Sequence, residues 1–326
     1  MKQKLITCGM ALVLPALVHF ELPAAASSPG NYPNQIVGAI DLSCPGAAPW
    51  SAGGIYLNSD DSRLYVAYWE DHNGSRVQEY DLTDNSLIQT ISFCPNNACS
   101  SCVCNLTTCY HTHADVVLSA DDRYLFTINY YPATISRIDL QGGYARTDLP
   151  VCSSWPADMD ITPDKSKILV KVGQDGRSYD MNNDRIAIFD VTSFSMLACV
   201  PLNDEPADKK IGFSSDGTKA YVTTNRRKSS SAMLYVISLQ PPYNVLDTVP
   251  IPGGSWPNWC VIGIQVTNSK VYVSDCYNSQ VLVFDSSLNR IDSILVGGNP
   301  STLAVTPDGC YLYALNLSQF VSIIDV

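Results

Sequence analysis

Short runs in which apolar and polar residues alternate, punctuated by turns rich in Asp, Gly and Pro, recur along almost the whole chain. A period of two marks strands with one face buried, and the turn residues set where each strand stops. The clearest copy runs Thr302-Leu-Ala-Val-Thr-Pro-Asp-Gly309, then Tyr311-Leu-Tyr-Ala-Leu-Asn316, then Phe320-Val-Ser-Ile-Ile-Asp325. Six such units can be laid along the sequence, each with strands a to d from the hub outward. The innermost strands are expected at Gly54–Ser59, Asp115–Ser119, Asp158–Thr162, Lys210–Ser214, Val261–Thr267 and Leu303–Thr306. No long amphipathic helix is legible.

Repeats of this length and strand content predict an all-β chain folded as a single β-propeller of six four-stranded blades. Seven is the alternative if the Cys-rich stretch hides a further unit. The sixth unit supplies only strands a to c. The segment Gln35–Leu42, Gln-Ile-Val-Gly-Ala-Ile-Asp-Leu, has the pattern of a d strand and is expected to complete that blade, removing an open edge.

The repeats resemble the YVTN family of β-propellers. Its strand-b signature is matched by Tyr221-Val-Thr-Thr-Asn225, Tyr272-Val-Ser-Asp275 and Leu64-Tyr-Val-Ala67. Its a–b turn is matched by Ser214-Ser-Asp-Gly217 and Thr306-Pro-Asp-Gly309, and its strand-c ending by Ile188-Phe-Asp190 and Ile323-Ile-Asp325. The resemblance covers nearly all of residues 35–326 and implies architecture. Proteins of this kind include periplasmic and surface proteins, lactonase-like proteins and subunits of redox enzymes, so the motifs imply no one activity. The recurring turn carboxylates Asp60, Asp121, Asp164, Asp216 and Asp308 are expected to brace their own turns rather than to act as acids.

Lys2, Lys4, the apolar stretch Leu5–Phe20 and Ala24-Ala-Ala26 together read as a secretory signal over residues 1–26. Residues 27–34 then form a short linker and 35–326 the propeller. The expected setting is secreted, periplasmic or at the cell surface, with no stable membrane insertion once the signal is cleaved. A formal charge of −11 argues against a nucleic-acid partner.

Function is expected where the repeats differ. Connections from strand d to the next strand a ring one mouth of the channel. They carry Trp50, His111 and His113, Trp155 and Asp158, Asp208, and Trp256 and Trp259, where the sixth unit keeps a plain Asn299-Pro300. Trp50, His113, Trp155, Asp158, Asp208, Trp256 and Trp259 are therefore the candidate ligand-binding residues. Aromatic walls with acidic handles suit a cation, a sugar or a flat organic ligand, and bulky side chains that merely plug the hub are the competing reading.

Removal of residues 1–26, with Cys8, takes the 12 cysteines to 11, and export makes disulfides the default. An insertion at 94–113 holds Cys94, Cys99, Cys102, Cys104, Cys109, His111 and His113. Its alternatives are a disulfide knot, a copper or zinc site with His111 and His113 among the ligands, and a redox-active Cys99/Cys102 pair. The hairpin around Asn268-Ser269 sets Val261 opposite Cys276, which places Cys260 next to Cys276 and predicts a bridge or close contact there. Asn73, Asn105 and Asn316 begin glycosylation triplets.

No acid–base pair, nucleophile elbow or phosphate loop stands out, so catalytic residues are not assigned. The sequence supports an exported binding or interaction module that takes a protein or small molecule at its mouth. A metal-dependent enzyme or redox partner is the first alternative. A structural subunit that forms homo-oligomers by strand exchange is the second.

Overall fold

The computed structural model describes residues 52–68, 76–92, 111–131, 133–152, 156–173, 185–202, 206–224, 232–251, 263–306, 308–316 and 320–326. Every regular element among them is a strand. Sheet one comprises β1 (Ala52–Leu57), β2 (Arg63–Tyr68), β3 (Arg76–Asp81) and β4 (Leu87–Ser92). Sheet two comprises β5 (His111–Leu118), β6 (Tyr124–Tyr131), β7 (Thr134–Asp139) and β8 (Ala145–Pro150). Sheet three comprises β9 (Pro156–Ile161), β10 (Lys167–Val172), β11 (Arg185–Asp190) and β12 (Ser195–Pro201). Sheet four comprises β13 (Pro206–Phe213), β14 (Lys219–Thr224), β15 (Ala232–Ser238) and β16 (Val245–Ile251). Sheet five comprises β17 (Ile264–Val266), β18 (Lys270–Asp275), β19 (Gln280–Asp285) and β20 (Arg290–Leu295). Sheet six comprises β21 (Pro300–Val305), β22 (Tyr311–Asn316) and β23 (Phe320–Asp325).

Each sheet is an antiparallel meander in chain order. The first strands touch in succession, β1 on β5, β5 on β9, β9 on β13, β13 on β17 and β17 on β21. Consecutive sheets thus pack face to face around a common hub, the arrangement of a β-propeller. The segment Gln35–Leu42, and with it the expected closing strand, lies outside the described residues.

Alternation in the second strands explains the packing. Leu125, Ile168, Ala220, Val271 and Leu312 face the preceding sheet, and their neighbours Phe126, Leu169, Tyr221 and Tyr272 face the following one. Five cores result, one in each junction from sheets one and two to sheets five and six. The Tyr-Val pair of the repeat is therefore two packing contacts in opposite directions, which is why it recurs.

The turns are also explained by the residues that recur in them. At the end of each first strand, Asn58, Ser119, Thr162, Ser214, Thr267 or Thr306 accepts the amide that opens the second strand. In four turns this hydroxyl also donates to the turn carboxylate, Asp121, Asp164, Asp216 or Asp308. All five recurring carboxylates accept the amide two residues on, so each is committed to its own turn. Gly217 and Gly309 supply the left-handed residue in two of these turns, and Asp61, Asp122 and Lys165 do so in three others. Hydrogen-bond donors aimed at the carboxylate hold Asp216 down to about 2, the Ser214 hydroxyl contributing most.

A second device sits at the outer turns. Tyr144, Phe194, Tyr243 and Leu288 have φ of 61°, 47°, 54° and 60°, costly for bulky residues, and each packs into the core shared with the preceding sheet. Phe194 meets Phe126 at 5.8 Å between ring centroids. Tyr144 donates from its hydroxyl to Glu79 Oε2 at 2.9 Å, while Tyr65 donates to Oε1 at 3.2 Å. Sheet one carries Asn85 at this position, also with positive φ (62°), and it is exposed.

Candidate functional site

The hub ends of the first strands begin earlier than the alternating pattern suggests. His111, His113, Pro156, Pro206, Asp208 and Pro300 all lie within β5, β9, β13 or β21 rather than in the connections before them. Register shifts explain the difference: β1 is irregular between Ala52 and Gly54, β5 between His111 and Thr112 and between His113 and Val116, and β9 at Ala157. β13 is irregular between Pro206 and Ile211, and β21 between Pro300 and Thr302. An extra residue breaks the period of two that marks a strand in sequence, and it re-aims the side chains near it. β17 is shorter than expected, at Ile264–Val266, but its pairing with β18 has the expected register.

Counting inward from the turns puts Gly54, Asp115, Asp158, Lys210, Gly263 and Thr302 at one hub position of the six sheets. In sheet five the position admits only glycine: a Cβ on Gly263 would sit 2.3 Å from the Ser301 carbonyl oxygen. Ser274 Oγ completes that junction, donating to the Ser301 carbonyl at 2.9 Å. Sheet one also has glycine. Among the six sheets, the residue type at this position is charged in sheets two, three and four.

Within those three sheets Lys171 is the anomaly. It is fully buried on β10, opposite Asp158, at a register position held by Ala67, Ile128, Thr223, Ser274 and Leu315 in the other sheets. Its Nζ lies 3.9 Å from Asp158 Oδ2, and the Asp158 side chain is 12% exposed. Asp115, buried on β5, reaches the adjacent sheet, where its Oδ2 accepts the Met159 amide at 3.4 Å. A buried ammonium costs several kcal/mol to desolvate, roughly, unless a partner offsets it, so Asp158 is bound into the junction as well as placed at its rim. The sequence pattern names Asp158 as a candidate and does not name Lys171 or Asp115. Aligning the second strands would have exposed Lys171 as the one charge in a column of small or apolar residues.

The remaining candidates are placed less fully. β5 carries His111 and His113, and β13 carries Asp208, two residues before Lys210. Trp50, Trp155, Trp256, Trp259, Cys94, Cys99, Cys102, Cys104, Cys109 and Cys260 lie outside the described residues. Among the described residues no three His, Cys, Asp or Glu side chains are grouped as a metal site. Asn316 is buried and donates to Phe320 O and Ser322 Oγ, so in the folded protein it is withheld from glycosylation.

A disulfide joins Cys152, just beyond β8, to Cys199 on β12, with Cα atoms 6.1 Å apart and a sequence separation of 47. It staples the outer strands of sheets two and three, the two sheets that share the charged junction. Nothing local in sequence marks this pair. Cys276 is disulfide-bonded. Cys310 is free and exposed. Among the described residues no helix is long and apolar enough to cross a membrane.

No family model matches the chain. Among curated proteins it is similar to antigen Lp49 of Leptospira interrogans serogroup Icterohaemorrhagiae serovar copenhageni, 26% identical over 195 residues. That match covers 56% of this chain and 35% of Lp49, so the likeness spans about a third of the relative's length. Among solved structures, the β-propeller domain of Swd1 from Myceliophteria thermophila superposes with a TM-score of 0.59 at 11% identity, covering 84% of each chain. The dihydro-heme d1 dehydrogenase NirN gives 0.59 at 13% identity, over 83% of this chain and 54% of NirN. A putative 6-phosphogluconolactonase from Bacteroides fragilis gives 0.58 at 15% identity, over 83% and 79%. At these identities the shared property is the fold: the chain is a β-propeller.

Proposed function

We propose that this is an exported β-propeller that binds a partner at the mouth of its channel, on the sector formed by sheets two to four. One observation carries the reading: charge at the common hub position is confined to Asp115, Asp158 and Lys210, while glycines fill it in sheets one and five. A scaffold braced alike in every unit has no packing need for such asymmetry, and an apolar side chain would fill the place of the buried Lys171 without its desolvation cost. Trp155, Trp256, Trp259, Trp50, His113 and Asp208, by their places in the repeat, are the further candidates for this surface. Export fits the Cys152–Cys199 disulfide, the signal-like residues 1–26 and the likeness to an antigen.

The test compares the protein with the double variant Asp158→Asn/Lys171→Met, which removes both charges and leaves neither uncompensated. Envelope extract of the producing cell is passed over each, and retained proteins and small molecules are quantified by mass spectrometry. A species lost by the variant supports the reading. Equal retention on both refutes it.

A second reading rests on the same sector. β5 carries His111 and His113 close in sequence to buried Asp115, and imidazole and carboxylate are ligand types that zinc or copper takes. Elemental analysis of untagged protein decides it: near-stoichiometric metal that falls in His111→Ala/His113→Ala supports the site, and metal-free protein rejects it.

A further inference from the structure

Cys152 and Cys199 lie at the rim of the packing between sheets two and three. Cys199 pairs with Ala187, at a place where the outer strands of the other four-stranded sheets carry the polar residues Thr90, Asp148, Thr248 and Ser293. Both cysteines of the bridge are half-buried, whereas the disulfide-bonded Cys276 is 2% exposed. Of these, the bridge is the one open to a thiol from solution. Its two sulfurs also differ. Arg185, the first residue of β11, donates from Nη1 to Cys199 Sγ at 3.9 Å. Cys152 instead packs against the apolar core shared by sheets two and three. A neighbouring cation stabilises a thiolate, and apolar surroundings disfavour one. The more stable thiolate is the better leaving group in thiol–disulfide exchange, and here it is Cys199.

We propose that the Cys152–Cys199 bridge is a thiol-exchange site, at which a soluble thiol becomes attached to Cys152 and Cys199 is released. The incoming thiolate attacks Cys152 Sγ and forms a new S–S bond there. The bond to Cys199 breaks, and its electron pair leaves on Cys199 Sγ beside the Arg185 guanidinium. With a monothiol the attacking sulfur is oxidised to the disulfide level and Cys199 is reduced. With a dithiol the second thiolate of the reductant then attacks the first, Cys152 leaves as a thiolate, and the reductant ends as a disulfide, two electrons having passed to the bridge. Either outcome unties the connection 151–155, which leads to β9 and Asp158, from the outer strand of sheet three. The site stands whether or not the mouth holds a partner, because its chemistry uses only the bridge and Arg185.

Timed exposure of the purified protein to reduced glutathione tests this. Free thiols are then blocked with N-ethylmaleimide, and each cysteine is read by peptide mass spectrometry. The expected product carries glutathione on Cys152 and N-ethylmaleimide on Cys199, and it forms before Cys276 reacts. Arg185→Gln is expected to slow its formation at least about threefold, and Arg185→Lys to keep most of the rate, because the leaving thiolate loses its cation in the first and keeps one in the second. Were Arg185 merely structural, its loss would loosen the bridge, so unchanged or faster exchange in Arg185→Gln overturns the proposal. Glutathione chiefly on Cys199, or reaction no faster than at Cys276, also overturns it. Should Arg185→Gln fail to fold, the position of glutathione in the unaltered chain decides, Cys152 supporting the proposal and Cys199 refuting it.

Discussion

Lys171 Nζ and Asp158 Oδ2 lie 3.9 Å apart at the hub, the lysine fully buried and the aspartate at the rim. The pair joins stability to the proposed binding face, and its two halves are separable by mutation. Asp158→Asn removes the carboxylate charge nearest a buried ammonium and is expected to cost roughly 3–5 kcal/mol in urea unfolding. Asp158→Asn/Lys171→Met should recover most of that loss, because an apolar side chain of similar length fills the site without charge. A double variant no more stable than Asp158→Asn would show that the lysine is not the source of the cost.

The disulfide between Cys152 and Cys199 links residues at a sequence separation of 47 and clamps the outer strands of sheets two and three. Replacing both cysteines by Ser should lower stability by about 2–4 kcal/mol, read as a fall in thermal midpoint without reductant. Pairwise replacement is preferable to reduction, because Cys276 is also disulfide-bonded.

Acid should act on the turns. Asp60, Asp121, Asp164, Asp216 and Asp308 are all held below the ordinary carboxylate value, Asp216 at about 2. A carboxylate with a depressed folded-state pKa stabilises the fold above its unfolded value, and the benefit is lost as pH falls through the folded one. The urea midpoint should therefore fall from about pH 4 towards pH 2. Asp216→Asn should be less stable at pH 6 and show a shallower decline on acidification.

Base should act on the junction of sheets one and two. Burial, with the hydrogen bond to Glu79, pushes Tyr144 up to about 12, and burial also raises Tyr65. A phenol with a raised folded-state pKa stabilises the fold below its unfolded value, and that benefit is lost as pH rises towards the folded one, here between about pH 10 and 12. Tyr144→Phe should cost about 1 kcal/mol at pH 7, by removing the bond to a charged acceptor, and should flatten the alkaline decline. An unchanged alkaline profile would place the titration elsewhere.

The strands were legible in sequence because burial on one face imposes a period of two, and the repeat averages over local exceptions. The register that sets Val271 opposite Val266 followed from a two-residue turn. The site was less legible for a physical reason. Bulges near Ala157 and between His113 and Val116 insert residues that break the period, so strand residues of the mouth read as loop. Lys171 was hidden because its partner, Asp158, lies 13 residues away on another strand, and only the column of equivalent positions reveals it. Cys152 and Cys199 were hidden because nothing in either neighbourhood names its partner, although their spacing is about one repeat.

The most direct measurement is the hydrogen-exchange footprint of whatever species the protein retains from envelope extract. Slowed exchange at the hub ends of β5, β9 and β13, absent in Asp158→Asn/Lys171→Met, is the predicted result. A footprint confined to the outer strands, or to the turns at Asp60, Asp121 and Asp164 on the opposite face, would contradict the assignment of the mouth as the binding surface.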